Sequence, residues 1–284
     1  MRTSMLIQSA AAGFKYPKFM DILTDLSLTT DLKLCLDAGD AASYTSGQPW
    51  LDRSGGGYDF NRGEDSGSAS DDPTFNGTAG GLSKGEYFEL DGGDYFRYDS
   101  ANEAWMNALH LNGAIYSVMT WMYLTGASAN YQIFMTSLAS LDHGMQWGLN
   151  SGGGGNAPQF NVVRGNSPSG KALQVELGSA IPGPGWVFVG VSIDEPTGSG
   201  GGFFYANGDY NQYSGADTFD ATYASPSTAD ATTRPHIGST GYTSPSFDPD
   251  GTRYAITAVW QGGTPLTKGN YDSVWSASRD RFGV

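Results

Sequence analysis

Cysteine and basic residues are scarce in this chain of 284 residues. Cys35 is the only cysteine, so no disulfide can form within the chain and the fold does not depend on an oxidising compartment. Lysine and arginine together number 15 against 29 aspartates and glutamates, and the net charge is -14. Because no basic cluster is present, the sequence lacks the cationic surface that releases counterions from a phosphate backbone, which excludes nucleic acid as a partner.

Long apolar runs are also lacking. No segment approaches the roughly 18 apolar residues of a membrane-spanning helix, so we expect no membrane insertion. Residues 1–12 lack the charged segment and the continuous apolar segment of a secretory signal. The sequence therefore predicts a protein that is made in a cytoplasm and that acts there or after cell lysis.

Glycine and apolar residues are abundant. Hydrophobic residues make up 39% of the chain and charged residues only 15%, which is enough to bury a sizeable core and excludes general disorder. The 41 glycines cluster at 55–57, 152–155 and 200–202. Such clusters are typical of loops between many short strands. A β-sandwich of this length can fold around a single core.

Three segments carry the strongest strand signals. Residues 185–194 and 202–208 are apolar runs of period two, and the second ends at an Asn-Gly pair that favours a tight hairpin turn, so we expect adjacent antiparallel strands. Residues 115–124 form the longest apolar strand and belong at the centre of a sheet. In the resulting two-layer sandwich, we expect the rings of Trp121 and Trp186 to point inward between the layers.

An N-terminal arm, residues 1–30, precedes the strand pattern. Its helical spacing predicts a short amphipathic helix over residues 18–27. The apolar stripe of this helix must be covered, and two covers stay open: the same chain, or a neighbouring subunit that the arm would hold in an assembly. The residues of the stripe are Phe19, Met20, Ile22, Leu23 and Leu26.

A second helix is predicted near the end of the main domain, which spans residues 31–277. Thr267 is a candidate N-cap because a threonine oxygen can accept a hydrogen bond from the first turn. Tyr271, Val274 and Trp275 then share one helix face. Residues 278–284 are predicted to form a tail beyond this helix.

Several motifs in the right order resemble one family. They read LCLDAGD at 34–40, WLDRSGGG at 50–57, FELDGGDY at 88–95 and the tryptophan strand at 185–194 followed by YANG at 205–208. This pattern resembles the concanavalin A-like lectin and glucanase superfamily, and within it the laminin-G-like domains. The resemblance covers roughly residues 32–276. It implies an all-β fold, a two-sheet antiparallel jelly-roll sandwich.

Glycoside hydrolysis is the enzymatic chemistry expected of such a scaffold, and it needs two carboxylates across a cleft. Related glucanases carry them on one strand, because residues two apart share a face of a sheet. Only Glu89, Asp91 and Asp94 approach that spacing, and Gly92-Gly93 interrupts the strand where the last acid belongs. We therefore expect a glycine-rich hairpin turn, no catalytic residues and no enzymatic activity.

Metal and cofactor sites are weakly indicated. The segment 248–251 has the first acids and the glycine of a calcium loop but lacks its distal glutamate, so a plain turn is favoured. Some relatives bind calcium at one sandwich edge, where this chain carries Asp37, Asp40 and Asp52. The expectation is no cofactor, with calcium at these three carboxylates as the alternative.

Carbohydrate binding fits the abundance of aromatic residues. Sugars stack on tyrosine and tryptophan rings while polar side chains hydrogen-bond their hydroxyls. The aromatic residues predicted to be exposed, and hence candidates to bind sugar, are Tyr58, Tyr131, Trp147, Tyr210, Tyr213 and Tyr242.

The combination of this scaffold with no secretion signal and no disulfide resembles a bacteriophage virion protein. That resemblance implies a structural head-decoration, tail or fibre component, located in the virion. Its partners would be other virion proteins, further copies of itself in a homo-oligomer, and host surface glycans. A stand-alone carbohydrate-binding lectin-like module is the alternative, and a glycoside hydrolase is a third hypothesis.

Overall fold

The computed structural model describes residues 15–100, 103–126, 130–136, 143–150, 157–164, 171–176, 181, 183–208, 215–224, 227–231, 233–240 and 245–284. The helices over these residues are α1 (Phe19–Asp25), α2 (Ala104–Asn107) and α3 (Lys268–Phe282), with a 3-10 turn at Glu195–Thr197. The strands are β1 (Leu32–Asp37), β2 (Pro49–Trp50), β3 (Phe60–Arg62), β4 (Thr74–Asn76), β5 (Tyr87–Glu89), β6 (Phe96–Tyr98), β7 (Ile115–Leu124), β8 (Tyr131–Met135), β9 (His143–Asn150), β10 (Ala157–Arg164), β11 (Lys171–Glu176), β12 (Gly185–Asp194), β13 (Gly202–Gly208), β14 (Gly215–Phe219), β15 (His236–Ile237) and β16 (Arg253–Gln261).

Two antiparallel sheets form a sandwich. Sheet A has the order β14-β13-β12-β7-β16-β5-β4, and β1 also pairs with β16. Sheet B has the order β11-β10-β9-β8-β15-β6-β3-β2. The predicted all-β jelly-roll class is confirmed, as are the antiparallel pairing of β12 with β13 and the central place of β7 between β12 and β16.

The main hydrophobic core lies between the two sheets. Trp50 is at its centre, with its ring centroid 4.9 Å from both Phe88 of sheet A and Phe96 of sheet B. Alternate residues of each strand point into this core because successive side chains of a strand face opposite sides. Fully burying one such ring contributes about 1.5–3 kcal/mol, so this core dominates the stability of the sandwich.

A second hydrophobic core covers the opposite face of sheet A. Trp121, Trp186 and Phe188 point into it, and the ring of Phe282 from α3 stacks on Trp121 with centroids 4.3 Å apart. The prediction that Trp121 and Trp186 lie between the sheets is therefore wrong. Because β7 and β12 are buried on both faces, their runs are almost continuously apolar, and such a run does not show which face a given ring takes.

The C-terminal helix α3 is fixed at its start and at its middle. Thr267 and Asn270 form a reciprocal capping box, which confirms the predicted N-cap. The hydroxyl of Tyr271 donates to the carbonyl oxygens of Val118 and Val191 at 3.1 and 2.9 Å. The predicted tail from residue 278 is corrected, because the helix runs on to Phe282, whose ring is buried against sheet A.

The arm docks on its own chain over the described residues 15–28. Phe19, Ile22 and Leu23 are buried in the second core, and Met20 and Leu26 pack against it partly exposed. The buried part of the predicted stripe is thus covered by the same chain, which is one of the two covers left open by the sequence. Because Met20 and Leu26 stay partly exposed, the role of the arm in assembly stays a prediction.

A buried ion pair joins α3 to β1, and the same carboxylate of β1 holds the start of α1. Arg281 Nη1 lies 2.8 Å from Asp37 Oδ1, and both side chains are almost fully buried. The other oxygen of Asp37 accepts the backbone N–H of Phe19 at 3.0 Å, at the start of α1. One carboxylate therefore fixes both helices on sheet A.

Candidate functional site

The outer face of sheet B is polar, in contrast to the apolar outer face of sheet A. In β9 and β10, Met145, Trp147 and Phe160 point into the inter-sheet core, so their neighbours point outward. Side-chain amides occupy several of these outward positions, whereas the outer face of sheet A carries aromatic rings. In sequence, the pattern is an amide or a glycine at every second position between apolar residues.

The register of four strands aligns these outward residues in two rows. One row crosses β8, β9, β10 and β11 as Gln132, Gly148, Gln159 and Glu176. The other row crosses the same strands as Met135, Gln146, Asn161 and Gln174. A cavity of about 140 Å³ lies over the rows and is lined by Asn130, Gln132, Gln146, Asn150, Gln159 and Asn161 among others. We call it the amide cleft.

Gly148 shapes the floor of the amide cleft. A Cβ at this position would collide with the backbone carbonyl oxygen of Tyr131 on the neighbouring strand. Since a backbone atom cannot move aside as a flexible side chain can, any larger residue would displace β8 from β9. The glycine therefore keeps the cleft open between Gln132 and Gln159.

Two polar side chains of these rows, Glu176 and Asn161, differ in their hydrogen-bond partners. Glu176 Oε2 accepts hydrogen bonds from the side-chain amides of Asn150 at 3.3 Å and Gln159 at 3.2 Å, so this carboxylate is held by its neighbours. Asn161 is 2% exposed, and its Oδ1 has no hydrogen-bond partner. A buried acceptor without a donor costs about 1–3 kcal/mol, and a ligand with a hydroxyl group would remove that cost.

The predicted sugar platforms lie elsewhere or are buried. Tyr131 and Trp147 are in the inter-sheet core, 0% and 1% exposed, so the prediction that they are exposed is wrong: both face inward from their strands. Tyr58 is half-buried and stacks on Trp105 with centroids 4.6 Å apart. Tyr210, Tyr213 and Tyr242 lie outside the described residues.

The three carboxylates considered for calcium each have other partners. Asp37 pairs with Arg281, and Asp40 pairs with Lys18 at 2.9 Å. Asp52 accepts the backbone N–H groups of Cys35 and Ser54, both at 2.8 Å, and so organises the glycine-rich loop. Among the residues that the structure describes, no group of three or more potential ligands is arranged to hold a metal ion. The oxygens of these three residues thus contact groups of the protein, and calcium at these carboxylates stays a prediction.

The acidic motifs considered for hydrolysis and calcium stabilise turns and strands. Glu89 pairs with Arg253 at 2.7 Å across β5 and β16. Asp94 accepts the N–H of Asp91 at 3.1 Å, and burial raises the pKa of Asp94 to about 7. Asp248 is fully buried and accepts hydrogen bonds from the N–H of Gln132 at 2.5 Å and from the hydroxyl of Tyr254 at 2.6 Å. Burial raises the pKa of Asp248 also to about 7. Asp248 thereby supports β8 directly beneath the amide cleft.

The amide cleft is not predicted from the sequence, because aromatic residues serve there as the signal of a sugar site. The available signal was the alternation in residues 146–150 and 159–161, where amides or glycine occupy every second position. That alternation identifies an exposed polar face of a strand. It does not show that the faces of four strands align, since the alignment depends on pairing across loops.

Comparison with known proteins shows the fold. No protein-family model and no curated protein sequence matches the chain. A Trypanosoma rangeli sialidase in complex with 2,3-difluoro-KDN is similar with a TM-score of 0.54 and 12% identity, over 90% of this chain and 34% of that one. A GH54 α-L-arabinofuranosidase soaked with 4-nitrophenyl α-L-arabinofuranoside gives 0.49 and 10%, over 81% and 51%. The CBM40 of Ruminococcus gnavus IT-sialidase gives 0.44 and 14%, over 68% and 96%.

The expectation of no enzymatic activity needs correction. The sialidase among the structural neighbours is a glycoside hydrolase, which contradicts a conclusion drawn from one missing acid motif. The chain spans about a third of the length of the sialidase. At 12% identity the likeness shows a jelly-roll, concanavalin-like sandwich fold. No helix in the described parts of the chain is long and apolar enough to cross a bilayer.

Proposed function

We propose that this chain binds neutral carbohydrate through the amide cleft on the outer face of sheet B. The observation that carries the proposal is the alignment of Gln132, Gln146, Gln159 and Asn161 in two rows over three neighbouring strands. A side-chain amide both donates and accepts hydrogen bonds, as a sugar hydroxyl does. A rigid sheet holds these amides at fixed spacing, which lowers the cost of ordering them when a ligand binds.

The charge of the cleft supports a neutral ligand. Glu176 is the charged residue of the two rows, and its Oε2 is already paired with two amides. The chain as a whole carries a net charge of -14, which repels anionic ligands at long range. The unpartnered Oδ1 of Asn161 needs a donor, and a hydroxyl group is one.

The structural neighbours are compatible with this class of ligand. The similar sialidase is in complex with 2,3-difluoro-KDN, a sugar acid derivative. The likeness supports a carbohydrate as the first ligand to test, and the charge of the amide cleft favours neutral sugars over a sugar acid.

Calorimetric titration of the full chain tests the proposal. The probes are neutral xylo-, cello- and arabino-oligosaccharides, with sialyllactose as the anionic comparison. Gln146→Ala removes hydrogen bonds of about 0.5–1.5 kcal/mol each, so we expect roughly a two- to tenfold loss of affinity per bond. Asn112→Ala, an exposed amide outside the cleft, is the matched control and should bind as the wild type does. Equal binding by both variants, or no binding to any probe, would refute the proposal.

Two further readouts use the same samples. Release of reducing ends from each oligosaccharide measures hydrolysis by the chain. The predicted place in a virion and the predicted homo-oligomer stay predictions, and sedimentation of the chain together with particle fractionation tests them.

A further inference from the structure

A second cavity opens on the outer face of sheet B, over β6 and β15. It has a volume of about 380 Å³ and is lined by Tyr95, Arg97, His236, Ser239 and Phe247, with Glu64 and Asp71 at its side. We call it the aromatic cleft. Three rings form one wall: the Tyr95 centroid lies 6.0 Å from that of Phe247 and 5.5 Å from that of His236, with planes tilted by 34° and 35°. Both Tyr95 and Phe247 are partly exposed.

The aromatic cleft also contains polar groups that lack partners. Ser239 is 1% exposed, and its Oγ makes no hydrogen bond. Arg97 Nε is likewise buried without an acceptor. Leaving such groups unpaired is costly in a protein interior, and a ligand that both donates and accepts hydrogen bonds would pair them.

His236 adds an acceptor to this set. Its Nδ1 lies 2.6 Å from the carbonyl oxygen of Arg234, and because a carbonyl only accepts, Nδ1 carries the proton of the neutral ring. Burial, together with the nearby Arg97 and Arg234, lowers the pKa of His236 to about 4, so the ring is neutral at pH 7. Its Nε2 therefore has a lone pair that can accept a hydrogen bond from a hydroxyl group.

Each charged group of the aromatic cleft has a partner within the protein. Arg97 Nη1 lies 3.1 Å from Glu64 Oε1, and Nη2 donates to the carbonyl oxygen of Glu64. Asp71 accepts the N–H of Glu64 at 2.9 Å. A cleft whose cation is neutralised by Glu64, with partly exposed rings and unpaired hydrogen-bonding groups, favours a neutral polyhydroxylated ligand over an ion.

The two clefts adjoin each other on one sheet face. Met135 lines the amide cleft and pairs in register with His236 of the aromatic cleft, which pairs in turn with Arg97. The row that begins at Asn161 and Gln146 therefore continues into the aromatic cleft. Neighbouring strands lie about 4.8 Å apart, so β6 and β8, with β15 between them, are separated by roughly 10 Å.

We infer that the aromatic cleft is a second sugar subsite, so that the outer face of sheet B takes an extended neutral oligosaccharide whose one end stacks on Tyr95 and Phe247. This inference rests on the proposed carbohydrate binding at the amide cleft. The affinity of the chain should rise with the length of the oligosaccharide until both clefts are filled. A single sugar unit should bind weakly, because it reaches only one cleft.

The test is a calorimetric titration of the full chain with mono- to hexasaccharides of the neutral xylo-, cello- and arabino- series. Phe247→Ala should lower the affinity for the longest oligosaccharides roughly tenfold, which corresponds to a loss of about 1.4 kcal/mol of binding free energy from the ring contact. The same substitution should leave the binding of mono- and disaccharides unchanged. Phe247→Leu keeps an apolar side chain for folding and should show the same selective loss. Trp275→Ala, a partly exposed ring on α3, is the matched control and should change neither.

The possible outcomes separate this inference from the proposed function. If Gln146→Ala weakens every oligosaccharide while neither Phe247 variant changes the longest ones, the aromatic cleft is not a subsite and the amide cleft still binds sugar. Affinity that is independent of length overturns the inference in the same way. If no oligosaccharide binds the wild-type chain, both the proposed function and the inference fail.

Discussion

Asn161→Val should stabilise the free protein and weaken its binding of carbohydrate. Asn161 is almost fully buried on β10, and its Oδ1 has no donor in the free chain. Removing an unsatisfied acceptor recovers about 1–3 kcal/mol, and valine suits a central strand better than asparagine does. In a chain of this size the gain corresponds to a rise in melting temperature of several degrees, at about 2–4 °C per kcal/mol.

Urea unfolding at constant m-value measures the stability, and calorimetry on the same samples measures binding. Gln159→Val is the matched control on the same strand and face: its amide already donates to Glu176, so this substitution should not stabilise the chain. A loss of more than about 1 kcal/mol in Asn161→Val, or binding equal to that of the wild type, would refute the assignment of Asn161 as a ligand-facing acceptor. Stability and binding changing in opposite directions is the signature of a site residue.

Three further substitutions test the physical account of the fold. Burial in the folded state raises the pKa of Asp248 from 3.8 to about 7, so between these values the folded chain holds a proton that the unfolded chain has released. The contribution of Asp248 to stability therefore falls as pH rises through this range. Asp248→Asn should flatten the fall in urea midpoints measured from pH 4 to 8, and an unchanged slope would contradict this assignment. Arg281→Met leaves the Asp37 carboxylate buried without its cation and should cost about 3–5 kcal/mol, with partial recovery when Asp37→Asn is added; a loss below about 1 kcal/mol argues against the pair. Thr267→Ala removes the capping box and should cost about 1 kcal/mol in the same assay, whereas Thr267→Ser should cost little, and equal losses contradict the capping role.

Local signals in the sequence sufficed for the longest strands, for the place of α1 and for the start of α3. The Asn-Gly pair that ends β13 and the apolar run of β7 indicated antiparallel strands at the centre of a sheet, and the structure has them there. Thr267 marked the start of α3 correctly because capping depends on residues only three positions apart. Each of these features is determined within one segment of the chain.

The faces of the strands could not be derived in the same way. Trp121 and Trp186 lie on strands that are apolar on both sides, so periodicity assigns them to neither core. The sequence predicts that Tyr131 and Trp147 are exposed, although both rings point into the inter-sheet core from paired strands. The choice of face depends on what covers the sheet, and α3 comes from the far end of the sequence.

The amide cleft combines residues that no local pattern joins. Gln132, Gln146 and Asn161 come from three strands, and the register between those strands brings them side by side. Asp248 shows the same limit, because its role under the cleft depends on a hydrogen bond to Gln132, which is 116 positions away. An acidic turn motif by itself predicts either a calcium loop or a plain turn. In the structure, the carboxylate of Asp248 instead stabilises β8.

The central claim is that the outer face of sheet B binds neutral carbohydrate. Side-chain amide NMR spectra of the chain labelled with ¹⁵N at asparagine and glutamine, recorded while a neutral oligosaccharide is added, test it most directly. We expect the resonances of Gln132, Gln146, Gln159 and Asn161 to shift together and to saturate at one affinity, while that of Asn112 stays in place. Shifts confined to amides outside this face, or none up to saturating sugar, would contradict the claim.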